Sequence, residues 1–249
     1  MSNLLTHEEY SAIANSLSFP TNAFINGQFQ SSKSGKTFET INPATGNVIA
    51  KVAACNADDV DHAVIKAREV FDQGHWSKLH PSERKKVLIK FSKLIQRNLN
   101  ELAVMESVDS GKPVRDCATI DLPETIDCLL WHAEAIDKVY DQTAPAGEDA
   151  LSVIVREPVG VVGCVLPWNF PLLMMAWKIA PALATGNSVI VKPAEQTSLT
   201  ALRLAELAID AGLPRGVLNV IPGMGPDVGE PIGLHADIDM VSFTGSTET

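Results

Sequence analysis

The sequence has 249 residues, of which 45% are hydrophobic and 20% charged, and its formal net charge is −10. This length can bury a substantial core in one large domain or two small ones. The negative net charge argues against a nucleic-acid partner, which would bind a basic face. It is compatible with a nucleotide, which needs only a local binding site. No apolar run reaches the ~18 residues of a membrane span, so no membrane partner is expected. The first residues show no secretory signal pattern.

Four cysteines occur, and none of them predicts a metal centre. No pair has Cys-x-x-Cys spacing, and no Cys/His cluster has the spacing of zinc ligands. Four cysteines are also too few for a disulfide scaffold of this size, so free thiols and a cytoplasmic location are expected. We expect all four to be structural: Cys55, Cys117, Cys128 and Cys164.

The first part of the chain predicts a hairpin, a strand and then a series of helices. Asn26-Gly27 lies between apolar residues and is a strong hairpin signal. A strand is predicted from Val48 to Ala53. Apolar residues at helical spacing then predict four helices. They cover about Val60 to Phe71, Val87 to Ile95, Leu99 to Val108 and Thr125 to Val139.

The next segment predicts an extended hairpin that leaves the domain body and returns. Thr143 to Ala150 is polar and rich in turn residues, and Leu151 to Val155 alternates toward Arg156-Glu157-Pro158. We assign residues 140–158 to this hairpin.

In the remaining part, short apolar strands alternate with helices. This alternation predicts a parallel sheet covered by helices on both faces, a Rossmann-like α/β fold preceded by the helical N-terminal region. The strands are predicted at Val159–Leu166, Ser188–Val191, Val217–Ile221 and Asp239–Phe243. The helices are predicted at about Leu172–Ala184, Ser198–Ala211 and Asp227–Leu234, with Gly186 and Gly212 just past two helix ends.

The candidate site is predicted where these four strands end, because ligands of open parallel sheets bind beyond the carboxyl ends of the strands. Each loop alone has an ordinary explanation, such as a turn, a helix cap or a surface lysine. The glycine run is also Gly-x-Gly-x-x-x-Gly and not the usual dinucleotide fingerprint. Four polar loops at four consecutive strand ends nevertheless favour a nucleotide site. They are Pro167–Pro171, Lys192–Gln196, Pro222–Gly229 and Thr244–Thr247.

Glu195 indicates which nucleotide. A carboxylate accepts hydrogen bonds from ribose hydroxyls but repels a 2′-phosphate, so NAD is expected rather than NADP. Lys192 precedes it at the strand end and can donate to the same sugar.

The motifs of these loops, in this order, resemble the aldehyde dehydrogenase family. The resemblance runs from about Phe24 to the end of the chain and is carried by a series of short motifs. They are Asn42-Pro43-Ala44-Thr45-Gly46, Asp109-Ser110-Gly111-Lys112-Pro113, Pro167-Trp168-Asn169-Phe170-Pro171, Lys192-Pro193-Ala194-Glu195-Gln196, Ala211-Gly212-Leu213-Pro214 and Phe243-Thr244-Gly245-Ser246-Thr247.

The resemblance implies a role for each candidate residue. Asn169 would be the catalytic donor to the oxyanion of a thiohemiacetal, and Lys178 a possible proton relay. The cofactor-binding set would be Pro167, Trp168, Lys192, Glu195, Gly225, Gly229, Gly245 and Ser246. The tunnel for a small aldehyde would be lined by Phe170, Met174 and Trp177, for which core packing is the alternative explanation.

The resemblance also implies a domain organisation. Residues 1–139 and 159–249 would form an NAD-binding domain that is incomplete at its C-terminus, and residues 140–158 an oligomerisation hairpin for a dimer or tetramer in the full-length form. The family's catalytic domain, with its nucleophilic cysteine and general-base glutamate, would lie beyond Thr249. The aldehyde is expected to be an aminoaldehyde such as γ-glutamyl-γ-aminobutyraldehyde.

Two hypotheses share every residue of this sequence. The first is the N-terminal part of an active NAD-dependent aldehyde dehydrogenase. The second is a catalytically inactive fragment with at most weak dinucleotide binding. A third, a dehydrogenase that uses hydride transfer alone, is disfavoured by the glycine spacing and by the Pro167–Pro171 loop.

Overall fold

The structure, a computed structural model, describes residues 4–247. Its strands are β1 (Ala23–Ile25), β2 (Gln28–Gln30), β3 (Thr37–Ile41), β4 (Val48–Ala53), β5 (Gln142–Ala144), β6 (Ser152–Ile154), β7 (Val161–Val165), β8 (Ser188–Lys192), β9 (Leu218–Val220) and β10 (Met240–Phe243). Its α-helices are α1 (His7–Ser16), α2 (Ala57–Gln73), α3 (Pro81–Arg97), α4 (Leu99–Ser110), α5 (Val114–Asp116), α6 (Leu122–Ala135), α7 (Pro171–Ala184), α8 (Leu199–Ala211) and α9 (Glu230–Leu234).

The central sheet has the strand order β10-β7-β8-β9-β1-β2. The first four strands of this order are parallel, as the sequence predicts. The N-terminal hairpin joins the sheet as two antiparallel strands, which the sequence analysis did not predict. Its turn has positive φ at both Asn26 (52°) and Gly27 (72°), the geometry that an Asn-Gly hairpin requires. The Asn219 side chain accepts a hydrogen bond from the Asn26 backbone and so ties the turn to β9.

Alternating side chains of the parallel strands divide the core in two. Val162 and Cys164 of β7 lie in the larger core, with residues of α3, α6, α7 and α8. Val161 of the same strand and Ile190 of β8 lie in the second core, with Val60, Ala63 and other residues of α2. The sheet is therefore covered on both faces, and the predicted α/β fold is confirmed.

Most predicted elements are present, with local differences. The predicted helix at Asp227–Leu234 is a π-helical turn over Gly225–Gly229 followed by α9. The helix predicted from Thr125 begins earlier, at Leu122, and is preceded by a π-helical turn over Cys117–Asp121. Helix α1 was not predicted, although Thr6 and Glu9 form a capping box that the sequence shows as Thr-x-x-Glu.

Two hairpins stand outside the central sheet. Strands β3 and β4 pair with each other, and so do β5 and β6. The β5–β6 hairpin lies where the sequence predicts it, and its apolar residues are exposed, including Leu151, Val153, Ile154 and Val155. The assignment of this hairpin to oligomerisation, and the division into domains, stay predictions.

Helix α4 holds the start of two other helices through buried carboxylates. One Glu106 oxygen accepts a hydrogen bond from the Leu172 backbone N–H of α7 (3.1 Å), and the other accepts one from the Thr200 hydroxyl (2.7 Å). Asp109 accepts from the Leu199 backbone N–H of α8 (3.0 Å) and from the Thr40 hydroxyl (3.0 Å). Negative groups at helix N-termini are stabilising, and these bonds satisfy N–H groups that have no partner within the helix.

Among residues 4–247, no helix is both long and apolar enough to cross a membrane.

We predict that Glu106→Gln stabilises the protein more at pH 8 than at pH 5. Burial raises the pKa of Glu106 to about 7 from a usual 4.5, against the lowering effect of its hydrogen bonds from Leu172 and Thr200. The folded state therefore holds this proton more tightly than the unfolded chain, and stability falls as the pH rises through this window. A glutamine amide keeps an acceptor for the Leu172 N–H and carries no charge.

The advantage of Glu106→Gln over the wild type should grow by on the order of 2 kcal/mol between pH 5 and pH 8. Urea unfolding followed by circular dichroism at the two pH values measures it. Glu83→Gln is the control, because Glu83 is exposed on α3 and pairs with the exposed Lys86. The same advantage at both pH values would contradict the prediction.

Candidate functional site

Four loops meet at one edge of the sheet, because the strands before them are parallel. In the register of the sheet, Val165 of β7 lies beside Lys192 of β8 on one side and Phe243 of β10 on the other. The Leu166 N–H donates to the Lys192 carbonyl (3.0 Å), and the Thr244 N–H donates to the Val165 carbonyl (3.1 Å). The loops that begin after these strands are therefore neighbours, as the sequence analysis expects.

Lys192 and Glu195 form an ion pair at the end of β8. The Lys192 ammonium lies 2.8 Å from a Glu195 carboxylate oxygen. The Lys192 side chain is 4% exposed and the Glu195 side chain 32% exposed, so the carboxylate is the member of the pair that faces solvent. Burial by itself raises the pKa of Glu195, but the hydrogen bond and charge of Lys192 outweigh it, and the pKa lies below the usual value. Glu195 is therefore a carboxylate at neutral pH.

The glycine loop after β9 leaves open space at two of its glycines. A Cβ atom added at Gly225 or at Gly229 would meet no protein atom within 4 Å. The packing of the chain thus does not explain the absence of a side chain at these positions, and both lie in the π-helical turn at the sheet edge. Gly223 differs, because a Cβ there would lie 2.9 Å from the Cys55 carbonyl oxygen. Gly223 is required by the fold, whereas Gly225 and Gly229 keep a surface free of side chains.

The loop after β10 is exposed at Gly245 and Ser246. A Cβ at Gly245 would meet the tip of the Phe243 ring, which is itself exposed.

The loop after β7 presents Trp168 and Asn169 to solvent, and Pro167 before them is half-buried. Trp168 is 59% exposed. Together with Ser110, Gly111 and Lys112, Trp168 and Asn169 line an open pocket of about 230 Å³. An amide side chain in such a pocket can donate a hydrogen bond to an oxygen that develops negative charge.

Helix α7 carries the predicted aldehyde-binding residues on one face. Phe170, Met174 and Trp177 are spaced i, i+4 and i+7, so they follow one another along the helix. Phe170 and Met174 are half-buried, and Trp177 is 56% exposed. The alternative of core packing fits Trp177 poorly, since most of its ring is open to solvent.

Lys178 points toward β10. Its ammonium donates to the hydroxyl groups of Ser242 (3.2 Å) and Thr244 (2.7 Å). Burial lowers the pKa of Lys178, and a thiolate at Cys164 would raise it. In this arrangement Lys178 is bound to the strand before the Gly245–Ser246 turn.

None of the four cysteines has the environment of a nucleophile. Burial, together with the charge of Asp59, raises the pKa of Cys55 far above its usual value. Burial raises the pKa of Cys117 and of Cys164 to about 12 in each case, and raises that of Cys128 as well. The thiolate is the reactive form, so these thiols are inert at neutral pH.

No role is predicted from the sequence for Lys112, Asp121 or Glu106. Lys112 forms an ion pair with the buried Asp121, and its ammonium lies 3.6 Å from the centroid of the Phe170 ring. Glu106 holds α7, as described above. A signal for Glu106 and Asp109 was present, because these two acidic residues are three positions apart in α4 and therefore share one face of the helix.

A larger open cleft, of about 660 Å³, lies away from this edge and is lined by residues of α1, α4 and α8. Arg203 is its cation, and it pairs with Glu101 and Glu206. The polar residues of the four loops favour the sheet edge as the candidate site. Among residues 4–247, no group of three or more His, Cys, Asp or Glu side chains is arranged to hold a metal ion.

Comparison with known proteins agrees with this fold. The model of the aldehyde dehydrogenase family matches residues 29–249. The chain is 61% identical, over its whole length, to aminoacetaldehyde dehydrogenase of Pseudomonas aeruginosa, and covers 50% of that protein. It is 48% identical to the NADP/NAD-dependent aldehyde dehydrogenase PuuC of Escherichia coli, with 94% of this chain and 47% of that protein covered.

Solved structures show the same fold. An indole-3-acetaldehyde dehydrogenase from P. syringae, in complex with NAD+ and IAA, has a TM-score of 0.97 and 49% identity, and the match covers 98% of this chain and 50% of that one. The γ-glutamyl-γ-aminobutyraldehyde dehydrogenase of Burkholderia cenocepacia has a TM-score of 0.96 and 48% identity, covering 98% and 49%. The chain spans about half the length of the curated relatives it matches.

Proposed function

Because the chain belongs to the aldehyde dehydrogenase family, we propose that it forms the NAD-binding part of an enzyme that oxidises an aldehyde to a carboxylic acid. The observation that carries the proposal is the Lys192–Glu195 pair, which presents a carboxylate at the carboxyl edge of the parallel sheet. A carboxylate at this edge suits the hydroxyl groups of a ribose.

The residues at the sheet edge fit NAD. Lys192 and Glu195 would hold the adenosine ribose, and Trp168 and Ser246 the pyrophosphate, with Pro167 and Gly245 in the same two loops. The open space at Gly225 and Gly229 supports this fit, because a Cβ there would project where a cofactor approaches the backbone. When bound, NAD supplies the acceptor for a hydride.

The residues of α7 and of the loop before it would act on the aldehyde. Phe170, Met174 and Trp177 would line its path, and the Asn169 amide would donate to the oxyanion that forms when a thiolate attacks the carbonyl carbon. The thiolate and the general base for water attack are expected outside these 249 residues, as the family resemblance implies. Lys178, bound to Ser242 and Thr244, could take part in proton transfer.

We assign an amino-substituted aldehyde as the substrate class. Two of the relatives support this assignment by their names, aminoacetaldehyde dehydrogenase and γ-glutamyl-γ-aminobutyraldehyde dehydrogenase.

A homo-oligomer assembled through the hairpin of residues 140–158 completes the proposal. The exposed Leu151, Val153, Ile154 and Val155 support it, because apolar groups on a projecting hairpin are stabilised when a partner covers them. We also propose a cytoplasmic location, which the free thiols support.

The full-length protein should bind NAD more tightly than NADP by about 10-fold to 100-fold, because the 2′-phosphate would lie beside the Glu195 carboxylate. Isothermal titration calorimetry with each cofactor measures this difference in affinity. The comparison is informative because one relative is named for both cofactors. Glu195→Gln should narrow the gap, mainly through better NADP binding. Equal affinities in the wild type would overturn the assignment of Glu195 to the ribose.

Asn169→Ala in the full-length protein should lower kcat by roughly 10²–10³, as the loss of one oxyanion donor does. The dissociation constant of NAD should stay near the wild-type value, because the amide acts on the aldehyde side. Stopped-flow measurement of NADH formation and calorimetry of NAD binding separate the two effects. A near-normal kcat in a poorly soluble variant would instead assign Asn169 a structural role.

Residues 1–249 alone should show no aldehyde oxidation, because their four thiols are inert at neutral pH. The measurement is NADH production by the purified chain with several aldehydes, before and after treatment with iodoacetamide. Steady turnover that alkylation abolishes would show that one of these cysteines is the nucleophile. Dinucleotide binding without turnover is the result expected if residues 1–249 form the cofactor-binding part of the enzyme.

A further inference from the structure

We propose that Lys112 is a positioning residue for the aldehyde side of the site. Its ammonium holds the Phe170 ring, and through this ring it fixes the loop that carries Asn169. The inference rests on the proposed function, and it gives Lys112 a role in that function.

The backbone of Lys112 is fixed on both sides of the residue. Helix α4 ends at Gly111, which has a left-handed conformation with φ 75°. The Ser107 hydroxyl donates to the Lys112 carbonyl (2.6 Å), and the Lys112 N–H donates to the Ser110 hydroxyl (3.2 Å). A side chain that starts from a fixed backbone loses less conformational freedom when its end is bound.

The ammonium of Lys112 is held by Asp121. This carboxylate is 2% exposed and lies at the end of the π-helical turn over Cys117–Asp121. The turn leaves Thr119 and Ile120 exposed while Asp121 is buried. Single π-helical turns within helices are frequent at functional sites. Here the last residue of the turn, Asp121, is the partner of Lys112.

The third contact of Lys112 is the face of the Phe170 ring, 3.6 Å from the ammonium to the ring centroid. This is close for a cation–π contact, which extends to about 6 Å. The Lys112 side chain is only 19% exposed, so solvent weakens the contact little. Phe170 caps the start of α7, directly after Asn169.

The orientation of the Asn169 side chain depends on restraint of its loop by neighbouring residues. Within the described residues, no hydrogen bond holds its side chain, and none holds that of Trp168. The loop is anchored at its start by the Leu166 N–H on the Lys192 carbonyl, and at its end by the Met174 N–H on the Phe170 carbonyl. An oxyanion donor must be oriented before charge develops. The Lys112–Phe170 contact is the side-chain contact that restrains the loop at the residue next to Asn169.

The test is a double-mutant cycle on Lys112 and Phe170 in the full-length protein, with aldehyde oxidation as the readout. Lys112→Met should lower kcat/KM for the aldehyde by about 3-fold to 30-fold, the range expected for a largely desolvated cation–π contact. In a Phe170→Leu background the same change should have a much smaller effect. The dissociation constant of NAD should not change. Lys112→Arg should retain most of the activity, since a guanidinium can contact both the ring and Asp121.

Lys86→Met is the matched control, because Lys86 is an exposed lysine of α3 that pairs with Glu83. It removes an ion pair and should leave kcat/KM unchanged. If Lys112→Met does not fold with Asp121 left unpaired, Lys112→Met/Asp121→Asn removes both charges and enters the cycle in its place. The inference would be overturned if Lys112→Met lowered kcat/KM equally in the wild type and in Phe170→Leu. It would also be overturned if Lys112→Met weakened NAD binding in parallel.

Urea unfolding of the wild type and the three variants of this cycle separates the inference from the proposed function. Non-additive free energies of unfolding between Lys112 and Phe170 would show that the ammonium holds the ring, and additive ones would overturn the inference. Both results are available whether or not the wild-type protein oxidises an aldehyde. A wild-type protein that oxidises none would overturn the proposed function by itself.

Discussion

Two buried carboxylates on one helix set the positions of the helices that follow the candidate site. Glu106 and Asp109 of α4 accept hydrogen bonds from the first N–H groups of α7 and α8. These two helices begin immediately after the loops of β7 and β8, so α4 determines how the loops leave the sheet. The arrangement has a cost, since burial raises the pKa of both carboxyl groups to about 7. The two carboxyl groups that are disfavoured as carboxylates are therefore the same groups that fix the starts of α7 and α8.

Two lysine–carboxylate pairs then give the two sides of the site opposite characters. At the end of β8 the lysine is buried, and the carboxylate of Glu195 is the part that faces solvent. Beside α7 the carboxylate of Asp121 is buried, and the ammonium of Lys112 is the part that contacts the Phe170 ring. In each pair the buried member fixes the orientation of the other. The Lys192–Glu195 pair suits the hydroxyl groups of a sugar, and the Lys112–Asp121 pair suits the Phe170 ring.

The same burial that shapes the sheet disfavours the thiolate of its one cysteine, Cys164. Cys164 lies in β7, only a few residues before Asn169, but its side chain points into the larger core beneath α7. In an apolar core the thiolate is destabilised, and Lys178 offsets this only in part. Chemistry at this edge is therefore left to side chains on the loops, and the strands supply their placement.

The sequence by itself determined the parallel strands, most of the helices and the edge at which the loops meet. Periodicity reports which face of an element is apolar, and turn residues such as Asn26-Gly27 and Gly212 report where the chain must reverse or a helix must end. The ionic partners were decided only by the tertiary structure. Lys112 and Asp121 are separated by nine positions, and Glu106 lies 66 positions from Leu172. No local pattern relates such residues, because their contacts form only when α4, the π-helical turn and α7 pack together. The N-terminal hairpin joined the sheet for the same reason: its turn is local, but its pairing with β9 links Phe24 to Val220.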